Sequence, residues 1–368
     1  MGRRHVLIPA LALTLLVGAA CGSSSDSGTK GSMMVASIAS STGSAAPYGV
    51  TQQNGTVLAV DELAKGSIDL RTYDDLSDAQ AATDAMRKAL ADGASIVLGP
   101  TLSPVAVAAD PLAQAAGVPV LGVTNATLDM ASIGTMVWRV SLSENAMVSA
   151  SVRYASSKRS VKNAVLIWEP ADGYSSGSAD SFRAAAKADG IAITSEQKYV
   201  DGSTSVESIA AAAMASSPDA IFFALRSAVA DDFLVATAST KALRVGGNGF
   251  NSSAVISSSG ASADGLIVSG SWNINSSNGM SQAFVQSYTK ANNAPPDSFA
   301  AQGYAAIQVV LAAMKRARST TPADIQAALG KIGTVQTVLG PFGYDAAHEP
   351  TYPAAVQIVK GGAFTLVS

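Results

Sequence analysis

One segment of the sequence has residue types and spacing that are typical of a catalytic nucleophile. Residues 173–177 read GYSSG, which fits the G-x-S-x-G pattern of hydrolases that attack a carbonyl carbon through a serine hydroxyl. Of the two histidines, His5 lies in an N-terminal apolar segment, so His348 alone could serve as the base. Four residues, EPAD, also separate the motif from the preceding strand-like run, whereas a nucleophile elbow turns sharply off its strand. A serine hydrolase using Ser175 and His348 is therefore a remote alternative, and we expect no enzymatic activity.

Patterns for phosphate and metal binding are weaker still. The sequence contains no GxxxxGK[ST] or GxGxxG segment, and its histidines and cysteine do not cluster, so we expect neither a metal nor a cofactor. Residues 74–78, DDLSD, carry three carboxylates but lack the glycine and the distal Glu of a calcium loop. We expect Ser77 or Asp78 to cap the helix that follows.

The single cysteine, Cys21, has no partner for a disulfide and no neighbouring ligands for a metal site. It follows Arg3, Arg4 and the apolar stretch VLIPALALTLLVGAA, which is too short for a spanning helix and is typical of a secretory signal. The end of that stretch resembles the lipobox of bacterial lipoproteins. The resemblance implies that residues 1–20 are removed and that Cys21 is lipidated; ordinary signal cleavage, leaving a free thiol, is the alternative.

Residues 21–32 continue from that cysteine as a Gly/Ser-rich tract without other apolar residues, which is typical of a flexible tether. Removing residues 1–20 takes away two arginines and no acid, so the formal net charge of −3 becomes −5. A weakly acidic chain without a basic cluster argues against a nucleic-acid partner. From the signal-like segment, Cys21 and the tether, we expect an exported protein that its lipid anchor holds on the outer face of the bacterial cell membrane. The remaining chain is long enough for two domains.

Strand-like apolar runs alternate with helical patterns along the body. The strand-like runs are residues 33–40, 68–75, 95–100, 118–123 and 136–141, and then 163–170, 219–225 and 265–272. Such alternation is typical of a parallel sheet with helices on both faces, and it predicts an α/β protein with two doubly wound lobes. Ligands bind such sheets at the carboxyl ends of the strands, so the loops there form the candidate site.

Those loops carry a resemblance to a known family. The segments are TGSAAPYG (42–49), YDDLSDAQAA (73–82), LGPTLSP (98–104), TNATL (124–128), SFAAQGYAAIQ (298–308) and GPFGYDA (340–346). In order and spacing they resemble the type I solute-binding proteins of the leucine/isoleucine/valine class. The resemblance implies a monomeric receptor that closes two lobes over a small molecule and delivers it to the permease and ATPase of an ABC importer. A sensor or envelope receptor of the same fold, without transport, is the alternative.

The resemblance also implies a division of the chain into lobes joined by three crossover strands. The crossovers would lie near residues 140–143, 270–274 and 338–342. Lobe one would hold residues 33–141 and 273–339, and lobe two would hold residues 142–272 and 340–368. Ligand contacts on both sides of the cleft would then shift the population towards the closed form.

The resemblance assigns two hydroxyl residues, Ser103 and Thr124, to the carboxylate of the ligand. Hydroxyls and N–H groups at helix N-termini can bind an anion without a buried cation, although Ser and Thr at such places also cap helices. Four aromatic residues are the candidate walls of the pocket: Tyr48, Tyr174, Phe299 and Trp272. Phe299 could equally belong to the core, and so could Trp272.

Two departures from the family pattern bear on the ligand. Asn248 stands where amino-acid-binding members carry an acid for the ligand ammonium, and Arg226 stands where relatives commonly carry an aromatic residue. An amide does not neutralise an ammonium, and an unpaired charge in a closed cleft costs several kcal/mol. The predicted ligand therefore keeps a carboxylate but lacks a free ammonium: an aromatic or aliphatic acid, a keto acid, an amide or a small dicarboxylate. Two alternatives stay open: Arg226 could pair with Asp231 or Asp232, and another acid could bind the ammonium.

Overall fold

The first part of the chain builds a parallel sheet covered by helices. The computed structural model describes residues 1–2, 32–127 and 130–367, so Cys21 and nearly all of the predicted signal peptide and tether lie outside the described residues. The elements are β1 (Met33–Ala39), α1 (Ala46–Ala59), β2 (Ile68–Asp74), α2 (Ala79–Ala91), β3 (Ile96–Leu98), α3 (Ser103–Ala116), β4 (Val120–Gly122), α4 (Met130–Ile133) and β5 (Val137–Arg139). A π-helical turn, Val60–Ala64, extends α1. The strand order is β2-β1-β3-β4-β5, with every pair parallel.

A second run of alternating strands and helices follows. It contains α5 (Glu144–Lys158), β6 (Asn163–Trp168), α6 (Gly173–Ala188), β7 (Ala192–Lys198), α7 (Val206–Ala215), β8 (Ala220–Ala224), α8 (Ser227–Ala236), β9 (Leu243–Gly246), α9 (Ser253–Ser259) and β10 (Ile267–Gly270). Short 3-10 turns at Asn248–Phe250 and Gly260–Ala263 connect its last strands. The five residues of β8, AIFFA, are all buried, as expected for a central strand with helices on both faces.

The chain then returns to the first lobe through α10 (Gly279–Asn292), α11 (Ser298–Arg316), α12 (Pro322–Leu329), β11 (Val335–Thr337) and β12 (Gly340–Phe342). Helix α11 packs directly on α1 through two glycines. A Cβ at Gly55 would lie 2.0 Å from the Ala300 carbonyl oxygen, and one at Gly303 would lie 2.2 Å from the Gln52 carbonyl oxygen. This close approach fixes the two helices that carry the aromatic side chains of the lobe-one wall.

Two final strands, β13 (Ala355–Lys360) and β14 (Ala363–Leu366), complete the second sheet. Its order is β14-β13-β10-β9-β8-β6-β7, in which β13 and β14 are antiparallel to their neighbours and the other pairs are parallel. The prediction of an α/β fold with two doubly wound lobes is confirmed. In the described residues no helix is both long enough and apolar enough to cross a membrane.

The segment between β12 and β13 packs against lobe one. Phe342, Tyr344 and Tyr352 lie in or against the apolar core that contains Trp138, and the Tyr352 hydroxyl donates to the Val140 carbonyl at 2.8 Å. His348 stacks on Trp138, with ring centroids 3.6 Å apart. This packing favours a third crossover near residues 353–355 over the predicted 338–342. The assignment of lobe boundaries otherwise stays a prediction.

Candidate ligand-binding site

A cavity of about 200 Å³ lies between the two lobes, at the carboxyl ends of the strands of both sheets. Seven of the eight side chains predicted to bind the ligand line it, namely Tyr48, Ser103, Thr124, Tyr174, Arg226, Asn248 and Phe299. The wall is completed by Ser44, Ala45, Thr101, Leu102, Pro104, Ala126, Asp172, Ser227, Ala228 and Gly249. Loops that are far apart in sequence therefore meet at one cavity, as the sheet topology predicts. That these residues contact a ligand stays a prediction.

The lobe-one end of the cavity is suited to an anion. Helix α3 begins at Ser103, and Leu102 at its N-cap position provides no side-chain cap. The first N–H groups of a helix have no intrahelical acceptor, and they attract negative charge. Ser103 Oγ accepts from the N–H groups of Ala126 and Thr127 at 3.2 and 3.5 Å, and its own hydrogen has no acceptor among the described residues. Ser103 therefore does not cap its own helix, and it can still donate to a carboxylate.

Thr124 is arranged differently, because its hydroxyl is already used by the protein. Thr124 Oγ1 lies 2.8 Å from the Thr101 carbonyl oxygen and 3.1 Å from Gln52 Oε1, both acceptors for its single hydrogen. Gln52 is fully buried in α1 and also receives the Thr101 hydroxyl at 3.2 Å. Thr124 thus positions its loop rather than capping a helix. Sequence reasoning missed Gln52, for which a polar residue on the buried face of α1 was the only signal.

An aromatic pair forms the apolar wall of lobe one. The rings of Tyr48 in α1 and Phe299 in α11 lie 4.7 Å apart at 47°. Burial raises the pKa of Tyr48, and the nearby hydroxyls of Ser227 and Ser252 partly offset this rise. These two serines belong to lobe two. The Tyr48 hydroxyl therefore lies close to lobe two on the other side of the cleft.

On lobe two, Tyr174 is held by a buried carboxylate. Glu144, the first residue of α5, accepts on Oε1 from the Tyr174 hydroxyl at 3.0 Å, the Ser178 hydroxyl at 2.7 Å and the Asn248 N–H at 3.1 Å. Burial raises the pKa of Glu144, and burial followed by the Glu144 charge raises the pKa of Tyr174 well above its usual range. A Cβ at Gly247 would lie 2.4 Å from Glu144 Oε1, so the loop after β9 needs glycine there. Sequence reasoning missed Glu144, because an acid at a helix start looks ordinary.

Arg226 pairs with carboxylates other than the two suggested by helical spacing. Its Nε and Nη2 donate to the two oxygens of Glu169 at 2.9 and 3.1 Å, so the suggested pairing with Asp231 or Asp232 is wrong. Asp172 and Asp201 lie 3.7 and 3.6 Å from the same guanidinium. Arg226 is therefore charge-compensated, and it adds no net positive charge to the cavity.

The loop after β9 places an amide at the cavity. Asn248 lies in the 3-10 turn Asn248–Phe250, and its Oδ1 accepts from Asn251 Nδ2 at 3.4 Å. One acid does line the cavity, Asp172 at the N-cap of α6. Its Oδ1 accepts from the Ser175 N–H at 2.7 Å.

One predicted site residue requires correction, and the structure also bears on the remote alternative of a serine nucleophile. Trp272 does not line the cavity, and its side chain is 4% exposed. Its Nε1 donates to Ser281 Oγ at 2.6 Å, and its ring packs edge-on to Phe284. Both partners belong to α10, which covers Trp272. Ser175 lies within the first turns of α6, fully buried, where Oγ accepts from the Glu169 N–H at 2.7 Å and donates to the Ala224 carbonyl. The Ser175 hydroxyl is therefore not available as a nucleophile.

The expected cap of α2 is present, because the Asp78 side chain accepts from the N–H groups of Gln80 and Ala81.

Residues 32–363 match the periplasmic binding protein family. A Leu/Ile/Val-binding protein homolog from Brucella melitensis is 23% identical over 332 residues, covering 86% of this chain and 88% of that protein. The leucine-binding protein LivK of Thermotoga maritima superposes with a TM-score of 0.84 at 21% identity, covering 91% of this chain and 98% of LivK. A solute-binding protein of Rhodopseudomonas palustris in complex with benzoate gives 0.79 at 23% identity, covering 92% and 96%. The chain belongs to the periplasmic binding protein family, and it has the type I fold of solute-binding proteins such as LivK.

Proposed function

We propose that this receptor captures a small organic acid, with the carboxylate bound at the N-terminus of α3. The observation that carries the proposal is the combination, at one end of the cavity, of a helix N-terminus without a side-chain cap and a Ser103 hydrogen that has no acceptor among the described residues. Both favour an anion, and neither requires a cation. Tyr48 and Phe299 offer an apolar face for the rest of the molecule.

The ligand in this proposal lacks a free ammonium. Asn248 has no charge, and the cavity-lining Asp172 has one oxygen committed to the α6 cap and the other 3.7 Å from the Arg226 guanidinium. An ammonium at that end could bond only to an acid that already lies beside the Arg226 guanidinium. Aromatic or aliphatic acids, keto acids and acids carrying an amide meet these conditions.

Export and anchoring form the second element of the proposal. Cys21 after a signal-like segment supports lipidation, and the tract 21–32 supports a flexible tether on the outer face of the membrane. In a bacterial host, the full chain should partition with membranes and carry acyl chains by mass spectrometry. A Cys21→Ser variant should lose both properties. Release of an unmodified Cys21 protein into the soluble fraction would contradict the anchor.

Calorimetric titration with matched pairs tests the choice of ligand. The pairs are leucine with 4-methylpentanoate and phenylalanine with 3-phenylpropanoate, preceded by a thermal-shift screen of wider acids and amides. We expect each deaminated acid to bind more tightly than its amino acid, and Ser103→Ala to weaken the binding of the acid. Tighter binding of leucine or phenylalanine than of any deaminated acid would overturn this part of the proposal.

A further inference from the structure

The lobe-two end of the cavity presents one hydrogen-bond donor and one acceptor that the protein leaves unused. Arg226 spends Nε and Nη2 on Glu169, and among the described residues its Nη1 makes no hydrogen bond. Asp172 spends Oδ1 on the α6 cap. Its Oδ2 lies 3.7 Å from Arg226 Nε, beyond hydrogen-bonding distance, and that Nε hydrogen already goes to Glu169. Arg226 and Asp172 both line the cavity.

The charges and the hydrogen-bonding groups of this pair do not suit either kind of ion. The Glu169 side chain is 6% exposed and bidentate, so it neutralises Arg226, and Asp172 and Asp201 then add negative charge. A second carboxylate on the ligand would meet three carboxylates within reach of one guanidinium, and like charges at such distances repel. The same negative charge attracts an ammonium, which could donate to Asp172, but an ammonium has no acceptor for the hydrogen of Arg226 Nη1 and would leave that donor unpaired.

We infer that the ligand carries, opposite its carboxylate, a neutral group that both accepts and donates a hydrogen bond: a hydroxyl or a primary carboxamide. The ligand oxygen would accept from Arg226 Nη1, and the ligand O–H or N–H would donate to Asp172 Oδ2. This inference rests on the proposed function, and it removes the small dicarboxylate from the predicted ligands. Arg226 and Asp172 then determine specificity, because the ligand group must accept from one and donate to the other. Neither a carboxylate nor an ammonium does both.

Titration of the unmodified protein tests this inference. The aromatic probes are benzoate, 4-hydroxybenzoate, 4-carbamoylbenzoate, terephthalate and 4-(aminomethyl)benzoate, and the aliphatic probes are hexanoate and 6-hydroxyhexanoate. In at least one series, the hydroxyl or carboxamide acid should bind about tenfold or more tightly than the unsubstituted acid, because hydrogen bonds to charged groups are strong. The dicarboxylate and the ammonium acid should bind more weakly than either.

The outcomes test the inference and the proposed function separately. If unsubstituted acids bind as well as their hydroxylated partners in both series, the inference fails while the proposed function stands. Tightest binding of terephthalate or of 4-(aminomethyl)benzoate also overturns the inference. If none of these acids binds and amino acids do, the proposed function is wrong and the inference falls with it.

Two variants connect the preference to its residues. Asp172→Ser keeps a capping hydroxyl for α6 but removes the oxygen that reaches the cavity. The paired change Arg226→Gln with Glu169→Gln removes the guanidinium without leaving a buried carboxylate unpaired. Each should abolish the preference for the hydroxylated acid over the unsubstituted acid, so that the ratio of the two affinities falls about tenfold or more.

A control on the same helix is Asp180→Asn, which alters an exposed carboxylate paired with Arg183. It should keep the full preference for the hydroxylated acid. Thermal unfolding of every variant confirms that the protein is folded. Survival of the preference in both the Asp172 variant and the paired variant would show that another group reads the hydroxyl, and the assignment would be wrong.

Discussion

Removing one oxygen atom from Tyr48 tests whether the closed form is held by the protein itself as well as by the ligand. Tyr48 belongs to lobe one, and its hydroxyl lies near the hydroxyls of Ser227 and Ser252 of lobe two. We predict that it bonds to one of them in the closed form. Tyr48→Phe deletes this contact and leaves the ring that packs on Phe299 at 4.7 Å. The contact disappears when the lobes separate, so the substitution destabilises only the closed form.

The size of the effect follows from the groups involved. The contact joins neutral hydroxyls at a half-buried site, and such interactions contribute about 0.5–1.5 kcal/mol. If the closed form loses about 1 kcal/mol of stability relative to the open form, its population falls about fivefold. Ligand affinity falls by the same factor, because the ligand binds the closed form. Because the ring stays in place, every ligand should lose the same factor.

Titration calorimetry of wild type and Tyr48→Phe with several acids measures that factor, and small-angle scattering without ligand measures the shift towards the open form. The matched control is Tyr73→Phe, whose hydroxyl donates to Asp92 at 2.7 Å within lobe one and should leave affinity unchanged. Unchanged affinity in Tyr48→Phe would refute the reasoning. A loss confined to one ligand would show that the hydroxyl contacts the ligand and not the opposite lobe.

Three further predictions concern single side chains. Ser103→Ala should weaken the binding of a carboxylate about tenfold or more, but should leave the binding of its neutral primary amide nearly unchanged, as measured by calorimetry. Asp110 is buried inside α3 with both oxygens unpartnered among the described residues, and burial raises its pKa well above the usual value. A raised pKa gives stability that is full at low pH and is lost as pH rises from about 3.9 through the folded value. Asp110→Asn should therefore raise the free energy of unfolding at pH 7 by about 1–3 kcal/mol and change it little at pH 3, as measured by urea titration; equal gains at both pH values would contradict this. Trp272→Phe should lower the free energy of unfolding by about 1–2 kcal/mol through the lost bond to Ser281, while ligand affinity stays within about twofold.

The sequence was sufficient for the architecture because both lobes repeat one local pattern. Short apolar runs such as β8 alternate with helices, and the carboxyl end of each strand must lie at the same edge of its sheet. That rule brings together the loops containing Ser103 and Thr124, and the facing of the two lobes adds the loop containing Tyr174 from the second sheet. The loops could therefore be located without any knowledge of how individual side chains are oriented.

Side-chain partners could not be predicted in the same way, because they depend on contacts between distant segments. Arg226 pairs with Glu169, 57 residues earlier, while local helical spacing pointed to Asp231 and Asp232. From the sequence, the Trp272 side chain could have pointed to either side of its segment. Its contacts with α10 place it in the core. Local patterns specify helices and strands, but they do not specify which of two faces a lone side chain will occupy.

Most polar groups around the cavity are already committed to one another, and this restricts what a ligand can be. Thr124 donates within lobe one, and Tyr174 donates to Glu144 while accepting from the Gly249 N–H at 2.7 Å. Groups held in this way do not reorganise when a ligand enters, so little free energy is lost in ordering them. The groups without a partner among the described residues, chiefly the α3 N-terminus, the Ser103 hydrogen, Arg226 Nη1 and Asp172 Oδ2, lie at the two ends of the cavity. Selectivity must then come from matching both ends at once, because a ligand that fits only one end leaves a donor or acceptor without a ligand partner at the other.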